Sequence, residues 1–307
     1  MHDPTEIVLA TCLILAPCIF AVSSLVRFRR DRKLRHAEPE NAFPVADEGS
    51  PYQPPPIQPP PPAMPAGRVP VWFYRRLDLL GAGLVFLIFS SLVLASVGVP
   101  HDAVKALNPG TLLFNIGFQF FLAGAVFMAV AWRVGPVVWL GLRWRSWPWV
   151  FLIGPGTVIA MWFVFGGLEA SGYMKWMESL GVETTQETVQ LLQKSSDPVV
   201  LGLMAFAAVV AAPLCEELVF RGYFYPAMKK FAGMWPAAIC SALVFASAHG
   251  SLAALPPLFL LGCVLVFVYE KTGSLWAPIS VHFCFNASTV LIQLAVRYFH
   301  LPVQPPS

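Results

Sequence analysis

The chain has 307 residues, 57% hydrophobic and only 12% charged, with a formal net charge of +3. Soluble domains carry about 25% charged residues. A soluble globular protein is therefore excluded, several membrane spans are expected, and no nucleic-acid partner is implied. The six cysteines (Cys12, Cys18, Cys215, Cys240, Cys263, Cys284) all fall in apolar runs. With no CxxC or Cys/His zinc spacing, they read as small hydrophobes in packed helices.

In chain order, residues 6–26 form a first apolar run. No Lys or Arg precedes it, as a signal peptide would require. The basic cluster follows instead, at Arg27, Arg29, Arg30, Arg32, Lys33 and Arg35. Residues 1–36 are thus expected to be a transmembrane anchor with its N-terminus outside. Residues 37–70 are a proline-rich linker, including Pro54–Pro56 and Pro59–Pro62, which favours extended polyproline II. It reads as a semi-rigid cytoplasmic spacer, with an SH3-like partner as the alternative.

Seven further apolar runs follow, at about 77–99, 111–131, 148–168, 199–219, 235–250, 253–269 and 276–296. The expected fold class is an all-α, polytopic membrane bundle of about eight transmembrane helices. Residues 71–198 supply its first helices and 199–296 a core, with a tail at 297–307. Alternate loops divide the basic residues sixteen to four. That bias predicts a multi-pass cell-membrane protein with both termini extracytoplasmic. Trp132, Trp139, Trp144, Trp147 and Trp149 cluster around one loop and read as interfacial anchors. In the outer loop, 169–198, Thr184 and Glu187 resemble a capping box opening an amphipathic helix through Gln193.

An ionisable group within a span costs about 2.5–3.5 kcal/mol on insertion scales, so each is a functional candidate. Three clusters stand out. In Glu216-Glu217-x-x-x-Arg221, Glu217 and Arg221 are four apart and can pair. Glu216 points about 100° away and is left to face something else. The second cluster is Phe245-x-x-x-His249. In the third, His282-x-x-x-Asn286, both polar residues share one helix face. A carboxylate, two imidazoles and an amide on three segments could converge on one buried point. Glu could take a proton from water, while His and Asn could donate to an oxyanion. Those are the parts needed to hydrolyse an amide.

This order of motifs resembles the CPBP intramembrane proteases, which include CAAX prenyl endopeptidases and bacteriocin-processing relatives. The flanks Pro213-Leu214-Cys215 and Gly273-Ser274-Leu275-Trp276-Ala277-Pro278 fit as well. The resemblance covers about 199–296. It implies an endopeptidase in which Glu216 with His249 activates water and His282 with Asn286 stabilises the oxyanion. It implies that Glu217 and Arg221 support the site and that Phe245 packs beside His249. The implied substrate is a membrane-associated or lipidated peptide or protein. Members are also labelled metalloproteases, and Glu216, His249 and His282 make a zinc set. With no HExxH spacing, the reading favours no cofactor, with Zn as the alternative.

Two other classes compete: an inactive membrane scaffold that binds a partner, and a proton-coupled transporter, which lacks support from any internal repeat. Depth poses a further question. The charge-derived topology sets Glu216 and His282 toward the cytoplasm but His249 near the outer face. A tilted sixth run, or a span continuing past His249 through Ser251 to Leu255, would reconcile them.

Overall fold

The computed structural model describes residues 4–37, 68–96, 108–184 and 197–299, with residues 189, 192 and 195. All regular elements among them are helices. They are α1 (Pro4–Ala37), α2 (Leu77–Ser96), α3 (Pro109–Ala131), the single turn α4 (Pro136–Trp139), α5 (Val150–Ala170) and α6 (Tyr173–Ser179). The continuous run α7 (Pro198–Ala232), α8 (Met234–Ser247), α9 (Leu255–Thr272) and α10 (Trp276–Tyr298) follow. Seven of these are long and apolar enough to cross a membrane, and α8 is a shorter apolar helix. The chain is an integral, multi-pass membrane protein, and the eight apolar runs return as seven long helices and one short one. Residues 38–67, most of the proline-rich linker, lie outside the described residues. So does most of the helix expected between Thr184 and Gln193.

Local chemistry sets the element ends. Asn108 Oδ1 accepts from Thr111 N at 2.9 Å, with Pro109 as first residue of α3. Asp197 Oδ1 accepts from Val199 N at 2.8 Å, with Pro198 opening α7. Both are side-chain caps followed by proline, the residue that loses nothing at a helix start. Gly233 (φ 93°) separates α7 from α8, and Gly273 (φ 69°) ends α9.

Helix α8 has 14 residues, about 21 Å at 1.5 Å per residue. The hydrocarbon core is about 30 Å thick, so α8 stops short of a full crossing. It ends at Ser247, and Gly250 (φ 67°) turns the chain before α9 begins. The expected extension past His249 to Leu255 does not occur.

Around the core, α1 runs along α8 and the end of α7. The Cys240 thiol donates to Ala16 O at 3.0 Å there. Helix α10 packs against α5, α7 and α9, with Phe165 stacked on Phe285. All six cysteines are free. In the loop after α5, Tyr173 donates to Leu252 O at 3.2 Å, and Met177 and Val182 bury against Leu252 and Ala253. The loop thus rests on the turn that carries His249. One tryptophan departs from the interfacial reading: Trp139 is 1% exposed, whereas Trp132 is 74% exposed. Its indole N–H has two buried acceptors, which draws the ring inward.

Candidate active site

The site is organised by irregularities in α7. Two π-helical segments interrupt it, Ala207–Ala211 and Phe220–Phe224. Each is marked by a bond five residues long, Ala212 N to Ala207 O and Tyr225 N to Phe220 O. Both segments lie just ahead of a proline, which has no N–H to give. In the first, the next donor in the five-residue register would be Pro213, so the Ala208 carbonyl has none. Asn286 Nδ2 from α10 donates to it at 2.8 Å. In the second, Pro226 stands four residues after Gly222 and cannot serve its carbonyl. Tyr74 Oη and Trp139 Nε1 donate to it at 2.7 and 2.8 Å. The Glu216–Arg221 motif lies between these two tethers.

Glu217 and Arg221 are fully buried. Arg221 Nη1 donates to Glu217 Oε1 at 2.9 Å, the pairing that their spacing predicts. Arg221 Nη2 donates to Gly262 O at 3.2 Å on α9. The guanidinium lies 4.4 Å from the centroid of Phe245, a desolvated cation–π contact. The same Glu217 Oε1 accepts from His282 Nδ1 at 2.9 Å. Sequence reasoning supplied no partner for His282, because this bond joins helices 65 residues apart in sequence.

Phe245 joins the rest. Its ring is 5.9 Å from that of His282 and 4.9 Å from that of His249, both edge-on. His249 Nδ1 lies 2.8 Å from Phe245 O. A carbonyl only accepts, so Nδ1 carries the hydrogen and Nε2 is the exposed lone pair. His282 follows the same logic, with its Nδ1–H held by a carboxylate. Its Nε2 donates only when the ring is an imidazolium.

The structure thus gathers Glu217, Arg221, Phe245, His249 and His282. Glu216 makes no hydrogen bond or ion pair with them among the described residues, although Arg221 lies within its electrostatic reach. Its Oε2 is buried without a protein partner, as are Glu217 Oε2 and Arg221 Nε. Asn286 is tied to the first π segment, which commits one of its two N–H groups. Among the described residues, no three His, Cys, Asp or Glu side chains form a metal-holding group. An apolar groove of about 400 Å³ lies between α5, α7 and α10, lined by Phe151, Val210, Leu214, Trp276 and Phe283 among others; none of the clustered polar side chains lines it. The residues that sequence reasoning overlooked are Tyr74 and Trp139. The signal for them was Pro226, which has no N–H to give the carbonyl four residues before it.

Residues 198–288 match the family described as type II CAAX prenyl endopeptidase Rce1-like. A Bacillus subtilis protein named "Putative membrane peptidase YdiL" is 27% identical over 112 residues, 36% of this chain and 43% of that relative. An Escherichia coli protein named "Uncharacterized 24.3 kDa protein" is 28% identical over 213 residues, 64% of this chain and 92% of that relative. The match therefore spans less than half the length of the first relative. No solved structure matches. These findings agree with the CPBP resemblance carried by the motifs.

Proposed function

We propose, from the premise that residues 198–288 belong with the Rce1-like type II CAAX prenyl endopeptidases, that this chain is an intramembrane endopeptidase. One observation carries the assignment of roles. Glu217 Oε1 is occupied by Arg221 and His282, while adjacent Glu216 makes no hydrogen bond or ion pair among the described residues and has a buried Oε2 that no protein group satisfies. A buried polar atom left unpaired costs about 1–3 kcal/mol. An orphaned carboxylate oxygen of this kind suits a group whose partner is a reactant.

In this reading Glu216 takes a proton from water as its oxygen adds to the scissile carbonyl carbon. The resulting oxyanion receives the free N–H of Asn286 and Nε2–H of an imidazolium at His282, whose charge Glu217 balances. His249, with Nδ1–H fixed on Phe245 O, offers Nε2 to orient the water. Collapse of the intermediate breaks the C–N bond, and the proton held by Glu216 passes to the departing amine. No step is routed through a metal.

The groove beside Leu214 and Phe283 supports an apolar or lipidated membrane substrate. The distribution of basic residues supports an orientation with both termini outside. The test is cleavage of lipidated peptides and membrane-protein segments by protein reconstituted in vesicles. Glu216→Ala is expected to lower the rate by about 10²–10⁴-fold, the usual worth of general-base catalysis. Cleavage by that variant at the parent rate overturns the assignment.

A further inference from the structure

We infer that Tyr74 and Trp139, both outside the matched segment, are positioning residues that set Glu217 against His282; this rests on the endopeptidase reading. Both side chains are buried. The Gly222 carbonyl follows Arg221 directly, and Pro226, four residues on, has no N–H to give it. Tyr74 donates to it at 2.7 Å and Trp139 at 2.8 Å. The indole N–H is shared with Tyr74 Oη at 3.0 Å, so the two donors and the carbonyl form one closed triangle.

The neighbours of Trp139 reach the other side of the site. Leu140 O accepts from Leu275 N at 2.9 Å, one residue before α10, the helix that bears His282. Gly141 (φ 61°) approaches so closely that a Cβ there would lie 1.8 Å from Gly273 O. Three consecutive residues, 139–141, therefore grip α7 beside Arg221 and the entrance to α10. Glu217 and His282 meet at 2.9 Å because these two helices are held in one register. Displacements of about 1 Å at a reacting centre can cost about 10²-fold.

Two donors on one acceptor make a distinctive prediction. Tyr74→Phe or Trp139→Phe alone leaves the other donor in place. Each is expected to lower kcat by about threefold at most, while the double variant lowers it by about 30-fold with KM nearly unchanged, as loss of alignment does. Pro226→Ala restores a backbone N–H four residues after Gly222. Adding it to the double variant should recover most of kcat, which a general packing defect would not. Additive single losses, or no recovery with Pro226→Ala in a folded protein, overturn the inference.

A second readout is independent of cleavage. Thermal unfolding in detergent of Tyr74→Phe/Trp139→Phe, of His282→Ala and of their combination should show strongly non-additive shifts, because both act on one alignment. Additive shifts contradict the bracket. Non-additive shifts in a protein that cleaves nothing would leave the bracket standing and remove the endopeptidase reading.

Discussion

Two buried ion clusters in this molecule use the same chemistry to opposite ends. At the end of α9, Glu270 Oε1 accepts from Tyr225 Oη and Lys229 Nζ, and Oε2 accepts from Val69 N. Lys229 also donates to Val69 O, and Arg68 N to Glu270 O. Both carboxylate oxygens are used, and the cluster clamps residues 68–69 onto the bundle. Midway along α7, Glu217 and Arg221 are equally buried, yet Glu217 Oε2, Arg221 Nε and Glu216 Oε2 have no protein partner. A closed cluster holds structure together. An open one costs stability and keeps polar atoms for something else.

The comparison can be broken at either cluster. The largest effect on stability is expected for Lys229→Met, which leaves Glu270 buried without its cation at a cost of about 3–5 kcal/mol. Denaturant unfolding in detergent should register that loss, while cleavage per folded molecule stays at the parent level. Lys229→Met with Glu270→Leu removes both charges and should recover most of the stability, since replacing a whole buried pair is often neutral. A double variant as unstable as the single would mean that the clamp is more than an ion pair. A smaller effect is expected for Asn286→Ala, which orphans the Ala208 carbonyl at about 1–3 kcal/mol. It should also slow cleavage by about 10²-fold if the free N–H serves the oxyanion. A stability loss without a rate loss would reduce Asn286 to a tether for the first π segment.

Much of this was legible in the sequence because it depended on local spacing. The Glu217–Arg221 pair follows from four-residue periodicity, and the contact of Phe245 with His249 is the one that the CPBP resemblance implies. The apolar runs mark the eight longest helices, although α1 and α7 continue 11 and 13 residues past the ends of their runs at 26 and 219. What remained hidden depended on contacts between helices. Nothing in His282-x-x-x-Asn286 indicates that its first residue meets Glu217 and its second an orphaned carbonyl of α7. Hydrophobicity runs on to residue 250, so it concealed where α8 stops; Gly250 was the better guide. Trp139 was misread because interfacial and buried tryptophans have the same composition. Only the prolines at 213 and 226, each removing a donor within a helix, hinted that side chains elsewhere must serve Ala208 and Gly222.

The division between Glu216 and Glu217 is the center of the account, and isosteric substitution tests it most directly. Glu216→Gln and Glu217→Gln should be compared for cleavage rate and unfolding in the same vesicles and detergent. The account predicts that Glu216→Gln loses cleavage while keeping parental stability, and that Glu217→Gln loses both, because Arg221 and His282 are left without their carboxylate. Parental cleavage by Glu216→Gln, or an unfolding midpoint unmoved by Glu217→Gln, would contradict it.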